Sequence, residues 1–234
     1  MDTVKIKNKN KTVFIAHRGL SGIYTENTLI AFEEAGKRTY YGIECDVHVT
    51  RDGKYVIFHD DNTGRLCKKD LIIEDTDFDT LRSLEFKDGV SKMPTPEEYL
   101  QVVAEHKKTA VIELKNAMPE KNIYEITEIC RSKYSLEKII FISFVFDNLK
   151  TLRKLLPNQK IQYLTFKCDG GLIKALKENG FDIDIEYVAL TKEAVKKLHE
   201  NSIAVNCWTC DDIEQANELI SQEVDFITTN ILEN

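Results

Sequence analysis

The sequence predicts a (β/α)₈ barrel from three observations. Short apolar segments alternate with amphipathic segments along most of the 234 residues, which is typical of a parallel sheet with helices on its faces. Several of these short segments are apolar throughout, as strands buried on both faces are. About eight strand–helix units fit this length, because about 250 residues are typical of that barrel. A doubly wound open sheet is the alternative, but Arg18-Gly19-Leu20-Ser21-Gly22 lacks its glycine-rich phosphate fingerprint.

The predicted elements follow one another in strand-then-helix order. The predicted strands are residues 13–16, 42–49, 55–58, 109–114, 139–142, 161–164, 183–187, 203–207 and 226–228. The predicted helices are residues 27–37, 96–104, 120–133, 147–155, 171–178, 192–200 and 212–221. The turn pair Asp52-Gly53 joins the second and third of these strands.

The alternation has one long break and an incomplete end. Residues 61–108 are interpreted as an insertion after the second barrel strand, within a single domain over 1–234. Only a few residues follow the last strand, so we expect a short or missing last helix, with residues 1–12 covering that side of the barrel instead. Apolar surface left open there would also suit a second copy of the chain, which makes a homo-oligomer an expectation.

Composition and charge limit the classes of function. The net charge is 32 − 39 = −7, which argues against a general nucleic-acid binder. The sequence has neither an apolar run of about 18 residues nor the pattern of a signal peptide, so we expect no stable membrane association. The cysteines are interpreted as reduced thiols, which predicts a cytoplasmic location. Cys207 and Cys210 have the spacing of a redox pair, but a packing role is favoured.

Two acidic residues in the second predicted strand indicate a metal site. Glu44 and Asp46 are two residues apart, so they share one face of the strand while Cys45 occupies the other. Adjacent inward carboxylates repel each other and lose hydration unless a cation lies between them. A solvated strand end is the alternative, but residues 43–49 are too apolar for an exposed strand. The pattern therefore predicts a cation at Glu44 and Asp46.

The next predicted strand repeats this geometry. Glu113 and Lys115 share one face at its end, and a third inward carboxylate would complete an all-oxygen site. Oxygen ligands suit a hard divalent cation, Mg²⁺, Ca²⁺ or Mn²⁺, better than zinc. A mutual ion pair between Glu113 and Lys115 is the alternative, and the residues alone leave both open.

Histidines end two of the apolar strands. His17 and His59 each follow such a strand, and histidine titrates near neutral pH, so a pair can serve as acid and base. Arg18 offers a bidentate fork for a phosphate, with a surface salt bridge as the alternative. Trp208 either walls a ligand pocket or plugs the barrel mouth. His48 shares a face with the two carboxylates of its strand and receives no role.

A set of short motifs runs along residues 13–230. They are His17-Arg18-Gly19, Glu26-Asn27-Thr28, Glu44-Cys45-Asp46-Val47, Asp52-Gly53, His59-Asp60, Glu113-Leu114-Lys115, Trp208-Thr209 and Asp225-Phe226-Ile227-Thr228-Thr229-Asn230. Each motif is weak, but the ordered set resembles the glycerophosphodiester phosphodiesterase family. The resemblance implies a single catalytic domain on a (β/α)₈ barrel. It also implies a metal-dependent hydrolase that releases an alcohol and sn-glycerol 3-phosphate, in lipid and glycerol metabolism.

The resemblance also implies a role for each matching residue. By position, Glu44, Asp46 and Glu113 match the metal ligands, His17 and His59 the acid and base, Arg18 and Lys115 the phosphate contacts, and Trp208 a pocket aromatic. Glu26 and Asn27 match a pair near the site, and we expect Asn27 to cap the first helix. Thr25 and Ile231 stand where the family often has proline, which changes the scaffold and not the chemistry.

Other functions stay open at this point. A lysophospholipase D-like phosphodiesterase is the nearest, and a non-catalytic phosphate-binding barrel and another metal-dependent barrel enzyme, such as an isomerase, are more distant. The resemblance also allows the substrate's own glycerol hydroxyl to attack first and form a cyclic phosphate. The preferred alcohol, the metal and the assignment of acid and base to the two histidines are not fixed by the sequence.

Overall fold

The computed structural model describes residues 2–7 and 10–234, and in these residues parallel strands close into a barrel. The strands are β1 (Val4–Lys5), β2 (Val13–Ala16), β3 (Gly42–Val49), β4 (Tyr55–Ile57), β5 (Thr109–Leu114), β6 (Ile139–Ser143), β7 (Lys160–Thr165), β8 (Asp182–Glu186), β9 (Val205–Trp208), β10 (Phe226–Thr229) and β11 (Leu232–Glu233). The barrel strands run in the order β2, β3, β5, β6, β7, β8, β9 and β10, and β2 pairs with β10 to close the ring. The predicted barrel is confirmed.

Helices connect the barrel strands on the outside. They are α1 (Leu29–Gly36), α2 (Phe78–Arg82), α3 (Pro96–Glu105), α4 (Glu120–Lys133), α5 (Phe146–Leu155), α6 (Gly170–Asn179), α7 (Lys192–Glu200) and α8 (Ile213–Ser221), with short 3₁₀ helices at Leu136–Lys138 and Tyr187–Ala189. No helix in the described part of the chain is long and apolar enough to cross a bilayer.

The alternation of side chains along β3 sorts apolar groups outward and acidic groups inward. Ile43, Cys45 and Val47 are buried in the main core, between the sheet and the helices. Because successive side chains on a strand point to opposite faces, Glu44 and Asp46 face the inside of the barrel. This single strand therefore supplies both packing for the core and polar groups for the interior.

The third predicted strand exists, but it lies outside the barrel. The chain turns at Asp52-Gly53, and β4 pairs antiparallel with β3, with Val47 opposite Ile57. The extra segment between β4 and α3 has a small core of its own, formed by Val56, Phe58, Cys67, Ile73, Leu81, Phe86 and Met93. Helix α3 begins at a capping box made by Thr95 and Glu98, and it packs between α1 and α4 in the outer ring.

The last barrel strand leads into a short strand. In the described residues no helix follows β10, and β11 pairs in parallel with β1 near the other end of the chain. Ile6 and Leu232 are buried in the main core beside this pair. The expectation that residues near the N-terminus take the place of a closing helix is met for residues 2–7, while residues 1, 8 and 9 lie outside the described part.

One local prediction is wrong. The N-cap of α1 is Thr28, whose side chain accepts a hydrogen bond from the backbone N–H of Ala31. Asn27 has a φ of 53° and does not cap the helix, because its Nδ2 donates to Asp46 Oδ2 at 2.7 Å. The buried carboxylate holds the asparagine side chain inside the barrel, and the threonine next to it takes over the cap.

Candidate active site

Three carboxylates meet at the carboxyl end of the barrel strands. Glu44 and Asp46 come from β3, and Glu113 comes from β5, where it stands directly opposite Asp46 in the parallel register. One oxygen of each lies within 4.8 Å of the other two, and all three side chains are buried. Two strands and their register are thus enough to assemble the cluster that the sequence predicts.

The cluster is under electrostatic strain. Burial, with repulsion from Asp46, raises the pKa of Glu44 well above its ordinary value and that of Glu113 to about 8. Burial opposes ionisation of Asp46 as well, but the nearby charges of Lys115 and Arg18 hold its pKa below the usual range. When all three carboxylates are ionised, they carry one negative charge more than these two cations neutralise, so a further cation would stabilise the ionised cluster.

The donor set fits a divalent metal ion. Asp46 Oδ1 is shielded from solvent and accepts no hydrogen bond in the described residues, with Lys115 Nζ 3.5 Å away. Lys115 Nζ also lies 2.9 Å from Glu113 Oε1, so the ion pair and the acidic cluster, which the sequence presented as alternatives, exist together. Carboxylate oxygens are the ligands that hard divalent cations prefer.

Arg18 joins the backbone of the first barrel loop to the cluster. Its N–H donates to Glu44 Oε2 at 2.8 Å, its Nη1 lies 2.8 Å from Glu26 Oε1, and its Nε lies 3.5 Å from Asp46 Oδ2. The φ of Arg18 is 54°, an uncommon value for a residue with a side chain. Gly19 follows at a φ of 77°, and a Cβ there would lie 2.6 Å from the backbone of Ala31, so glycine is required.

His17 lines the pocket, and one of its ring nitrogens is hydrogen-bonded to a neighbouring side chain. Its Nδ1 lies 2.8 Å from Asn230 Oδ1, and Asn230 Nδ2 in turn donates to Asp211 Oδ2 at 2.6 Å. Because the amide oxygen only accepts, Nδ1 carries the proton and Nε2 is left with its lone pair. Burial, reinforced by the charge of Arg18, lowers the pKa of His17 to about 4.

His59 has a different partner. Its Nδ1 lies 2.7 Å from Asp60 Oδ1, so the ring is oriented by a carboxylate. Arg65 ties this carboxylate into the site: its Nε lies 2.6 Å from Asp60 Oδ2 and its Nη2 lies 2.6 Å from Glu26 Oε1. A chain of alternating charges therefore connects Arg18 with His59 through Glu26, Arg65 and Asp60.

The pocket at this end of the barrel has two dissimilar walls. The polar wall is formed by His17, Arg18, Glu44, His59 and Glu113. The apolar wall is formed by Ile142, Phe144, Leu164 and Trp208, with Asp184 of β8 among them, and Thr228 of β10 lies between this wall and the polar one. Trp208 is fixed by a hydrogen bond from its Nε1 to the backbone oxygen of Asp184 at 3.2 Å.

The structure brings the predicted site residues together in one place. Six of them line the pocket, and Asp46 and Lys115 lie against the cluster behind it. His48 is buried, with its Nε2 3.3 Å from the backbone oxygen of His59.

Sequence reasoning missed Arg65, Asn230 and Asp184 as individual residues. Asp184 follows the same alternation that revealed Glu44 and Asp46, so that signal could have found it, whereas nothing in the aperiodic segment around Arg65 singles it out.

Comparisons with known proteins agree with this geometry. The model of the glycerophosphoryl diester phosphodiesterase family matches residues 17–233. A glycerophosphodiester phosphodiesterase of Bacillus altitudinis is 29% identical over 231 residues, covering 94% of each chain. A phosphodiesterase of Oleispira antarctica, solved in complex with the product sn-glycerol-3-phosphate, has a TM-score of 0.89 at 25% identity and covers 93% of this chain and 92% of its own.

A second solved structure gives the same picture. A glycerophosphodiester phosphodiesterase from Parabacteroides distasonis has a TM-score of 0.82 at 29% identity, with 95% of this chain and 94% of the other covered. The family match spans nearly all of the barrel and includes every residue of the pocket described above. The chain belongs to the glycerophosphodiester phosphodiesterase family and is an enzyme of that family.

Proposed function

We propose that this enzyme hydrolyses glycerophosphodiesters to an alcohol and sn-glycerol 3-phosphate with the help of a divalent cation. The observation that carries the proposal is that the acidic cluster and two histidines meet in one pocket. The Nδ1 atom of one histidine contacts an amide oxygen, and that of the other contacts a carboxylate oxygen. The product bound to the Oleispira antarctica relative supports the choice of substrate class.

Glu44, Asp46 and Glu113 would hold the cation, which we propose to be Mg²⁺, Ca²⁺ or Mn²⁺. The buried oxygen of Asp46 without a hydrogen bond and the raised pKa values of both glutamates support this choice. When bound, such a cation neutralises the negative charge that develops on the phosphoryl oxygens.

His17 is proposed as the general base. Its Nδ1 donates to Asn230, so Nε2 can accept a proton from the attacking hydroxyl. The lowered pKa of about 4 keeps the ring neutral near neutral pH, so the lone pair of Nε2 is not occupied by a proton. The attacking hydroxyl is either water or a glycerol hydroxyl of the substrate, and both routes begin with the same proton transfer to His17.

His59 is proposed as the general acid. The carboxylate of Asp60, itself held by Arg65, accepts from Nδ1–H and so orients the Nε2–H of the ring. That proton passes to the oxygen of the departing alcohol as the P–O bond breaks. The two histidines thus take different parts because one has an amide oxygen and the other a carboxylate behind it.

Arg18 and Lys115 are proposed to bind the phosphate. Arg18 lines the pocket, and the planar set of N–H donors of its guanidinium suits phosphoryl oxygens. Lys115 contributes a point charge beside Asp46 and Glu113. Trp208 is proposed to pack against the substrate from the apolar wall.

The test is the release of glycerol 3-phosphate from glycerophosphocholine, with and without a chelator. We expect release that stops on chelation and returns with Mg²⁺, Ca²⁺ or Mn²⁺. Release that a chelator does not affect would remove the metal but keep the hydrolase. No release from any glycerophosphodiester would favour the non-catalytic phosphate-binding barrel. Cleavage confined to lysophosphatidylcholine would favour a lysophospholipase D.

The setting of the enzyme is part of the proposal. We propose a cytoplasmic enzyme of lipid and glycerol metabolism, supported by six cysteines that are all unpaired, five of them buried. Fractionation of cells that produce the protein would test the location. Sedimentation would test the expected homo-oligomer.

A further inference from the structure

Asp184 is a buried carboxyl group that lacks a partner. It lies on β8, inside the barrel, and it is 1% exposed. Its Oδ1 is shielded from solvent without a hydrogen bond, and no ion pair in the described residues involves its side chain. Isolated buried carboxyl groups are costly, so one that is retained in a catalytic pocket calls for an explanation.

The charges around Asp184 do not compensate it. Burial raises its pKa well above the usual value, and Glu113 acts on it with a charge of the same sign. In the described residues the acidic groups close enough to share an ion are Glu44, Asp46 and Glu113, and Asp184 is not among them. A cationic group of a ligand could therefore pair with the carboxyl group of Asp184.

Aromatic rings stand beside this carboxyl group. Phe144 and Trp208 line the pocket together with Asp184, and their rings meet edge to face at 5.7 Å. Phe166 stacks on Phe144 at 5.3 Å and meets Trp208 edge to face at the same distance. Phe166 is 61% exposed, so this ring extends the aromatic wall outward to solvent.

We propose that Asp184 and the aromatic wall of Phe144, Phe166 and Trp208 form a subsite for a cationic amino-alcohol, such as choline or ethanolamine. Aromatic faces attract cations, and aromatic cages in other proteins recognise quaternary ammonium groups. This inference rests on the proposed function and deepens it, because it names the class of the leaving alcohol. Diesters with neutral or anionic alcohols are poorer substrates by the same reasoning.

A neutral polyol explains the subsite less well. Glycerol hydroxyls could donate to Asp184, but they would gain nothing from three aromatic rings. The glycerol part is also common to all glycerophosphodiesters, so an Asp184 that served it would affect every substrate equally. If Asp184 binds the amino-alcohol, a change at this residue affects mainly substrates with such an alcohol. If it binds glycerol, the change affects every substrate.

A binding experiment tests the subsite without turnover. Trp208 is the single tryptophan of the chain, so its fluorescence reports on the subsite directly. Choline chloride should change the emission of the wild-type protein in a saturable way, whereas glycerol and sodium chloride at equal concentrations should not. Asp184→Asn should abolish the response. No response of the wild type, or an equal response of the variant, would overturn the proposal.

Kinetics give a second test. Asp184→Asn should lower kcat/KM for glycerophosphocholine and glycerophosphoethanolamine about 10- to 100-fold, because a buried charged contact is lost. The loss for glycerophosphoglycerol should be clearly smaller. Asp182→Asn is the matched control, since Asp182 is on the same strand, accepts from the backbone N–H of Ala204, and does not line the pocket.

The outcomes separate this inference from the proposed function. An equal loss on all diesters after Asp184→Asn would place glycerol at Asp184 and overturn the subsite alone. An inactive wild type that still gives a choline response, lost in Asp184→Asn, would reject the hydrolase and support the subsite. Phe166→Leu, which changes an exposed ring, should raise KM for glycerophosphocholine only, and an equal rise for glycerophosphoglycerol would contradict the subsite.

Discussion

The polar and apolar walls of the pocket come from different parts of the barrel. The loops and ends of β2, β3 and β5, together with His59 after β4, supply every charged group proposed to act on the phosphate. The opposite wall comes from β6, β7 and β9 and is apolar. On the polar wall each side chain is fixed by a polar partner, whereas on the apolar wall the side chains are held mainly by packing, with a hydrogen bond from Trp208 to the backbone of Asp184. The groups proposed for catalysis and those proposed for recognition of the alcohol therefore lie on opposite walls of the pocket.

The partners behind the polar wall explain why it can be so highly charged. Asn230 holds His17, Asp60 and Arg65 hold His59, and Glu26 holds Arg18. Hydrogen-bonded supports of this kind restrict the orientation of catalytic groups before the substrate binds. Changes on this wall should therefore alter turnover, and changes on the other wall should alter the choice of substrate.

The largest expected effect is the loss of His59. His59→Ala should lower kcat on glycerophosphocholine about 10²–10⁴-fold while the fold survives, because the proposed acid is removed. His199→Ala is the control, since His199 pairs with Asp225 and does not line the pocket. Steady-state kinetics with circular dichroism is the measurement. Near-normal turnover of a folded His59→Ala would remove His59 from the mechanism.

A smaller effect is expected for Arg65, which contacts Asp60 and not His59 itself. Arg65→Ala should lower kcat about 10- to 100-fold, because Asp60 and Glu26 lose the cation that joins them. Steady-state kinetics with glycerophosphocholine measures the loss.

Arg51 offers a matched control for Arg65, because it also pairs with an aspartate, Asp77 at 2.6 Å, but outside the pocket. Arg51→Ala should keep wild-type kinetics. If Arg51→Ala and Arg65→Ala behave alike, the proposed chain of charges has no catalytic role.

The acidic cluster should make the metal-free protein sensitive to pH. The pKa of Glu113 is raised from 4.5 to about 8, so in this window the folded protein keeps a proton that the unfolded chain has released. The free energy of unfolding should therefore fall as pH rises, by at most about 1.4 kcal/mol per pH unit for this group. The stabilisation is complete below pH 4.5 and lost above about pH 8.

Urea unfolding in the presence of a chelator, at several pH values in this window, measures this slope. Glu113→Gln should flatten it, since glutamine does not titrate. A slope that is the same in the variant and in the wild type would show that Glu113 ionises in the folded protein much as it does in the unfolded chain.

The smallest effect distinguishes the two residues at the start of α1. Thr28→Ala should lower the free energy of unfolding by about 1 kcal/mol through loss of the N-cap, with little change in kcat. Asn27→Ala should instead lower kcat, because Asn27 holds Asp46. Equal effects of the two changes on turnover would contradict this division of roles.

The barrel and most of the polar wall could be predicted because they follow local rules. Alternation along β3 gave Glu44 and Asp46, and strand ends gave His17 and His59. The cap of α1 could not be predicted, since a buried carboxylate 19 residues away competes for Asn27. Arg65 lies in a segment without periodicity, and its partners meet only after the barrel closes. The antiparallel pairing of β4 depends on the hairpin geometry and not on its apolar composition.

We propose that Glu44, Asp46 and Glu113 bind one divalent cation that turnover requires. Titration calorimetry of the metal-free protein with Mn²⁺, with glycerol 3-phosphate release followed in the same samples, tests it most directly. We expect one ion per chain for the wild type and for Asp184→Asn, none for Asp46→Asn, and no turnover without the ion. Full turnover by a wild-type protein that binds no ion would contradict it.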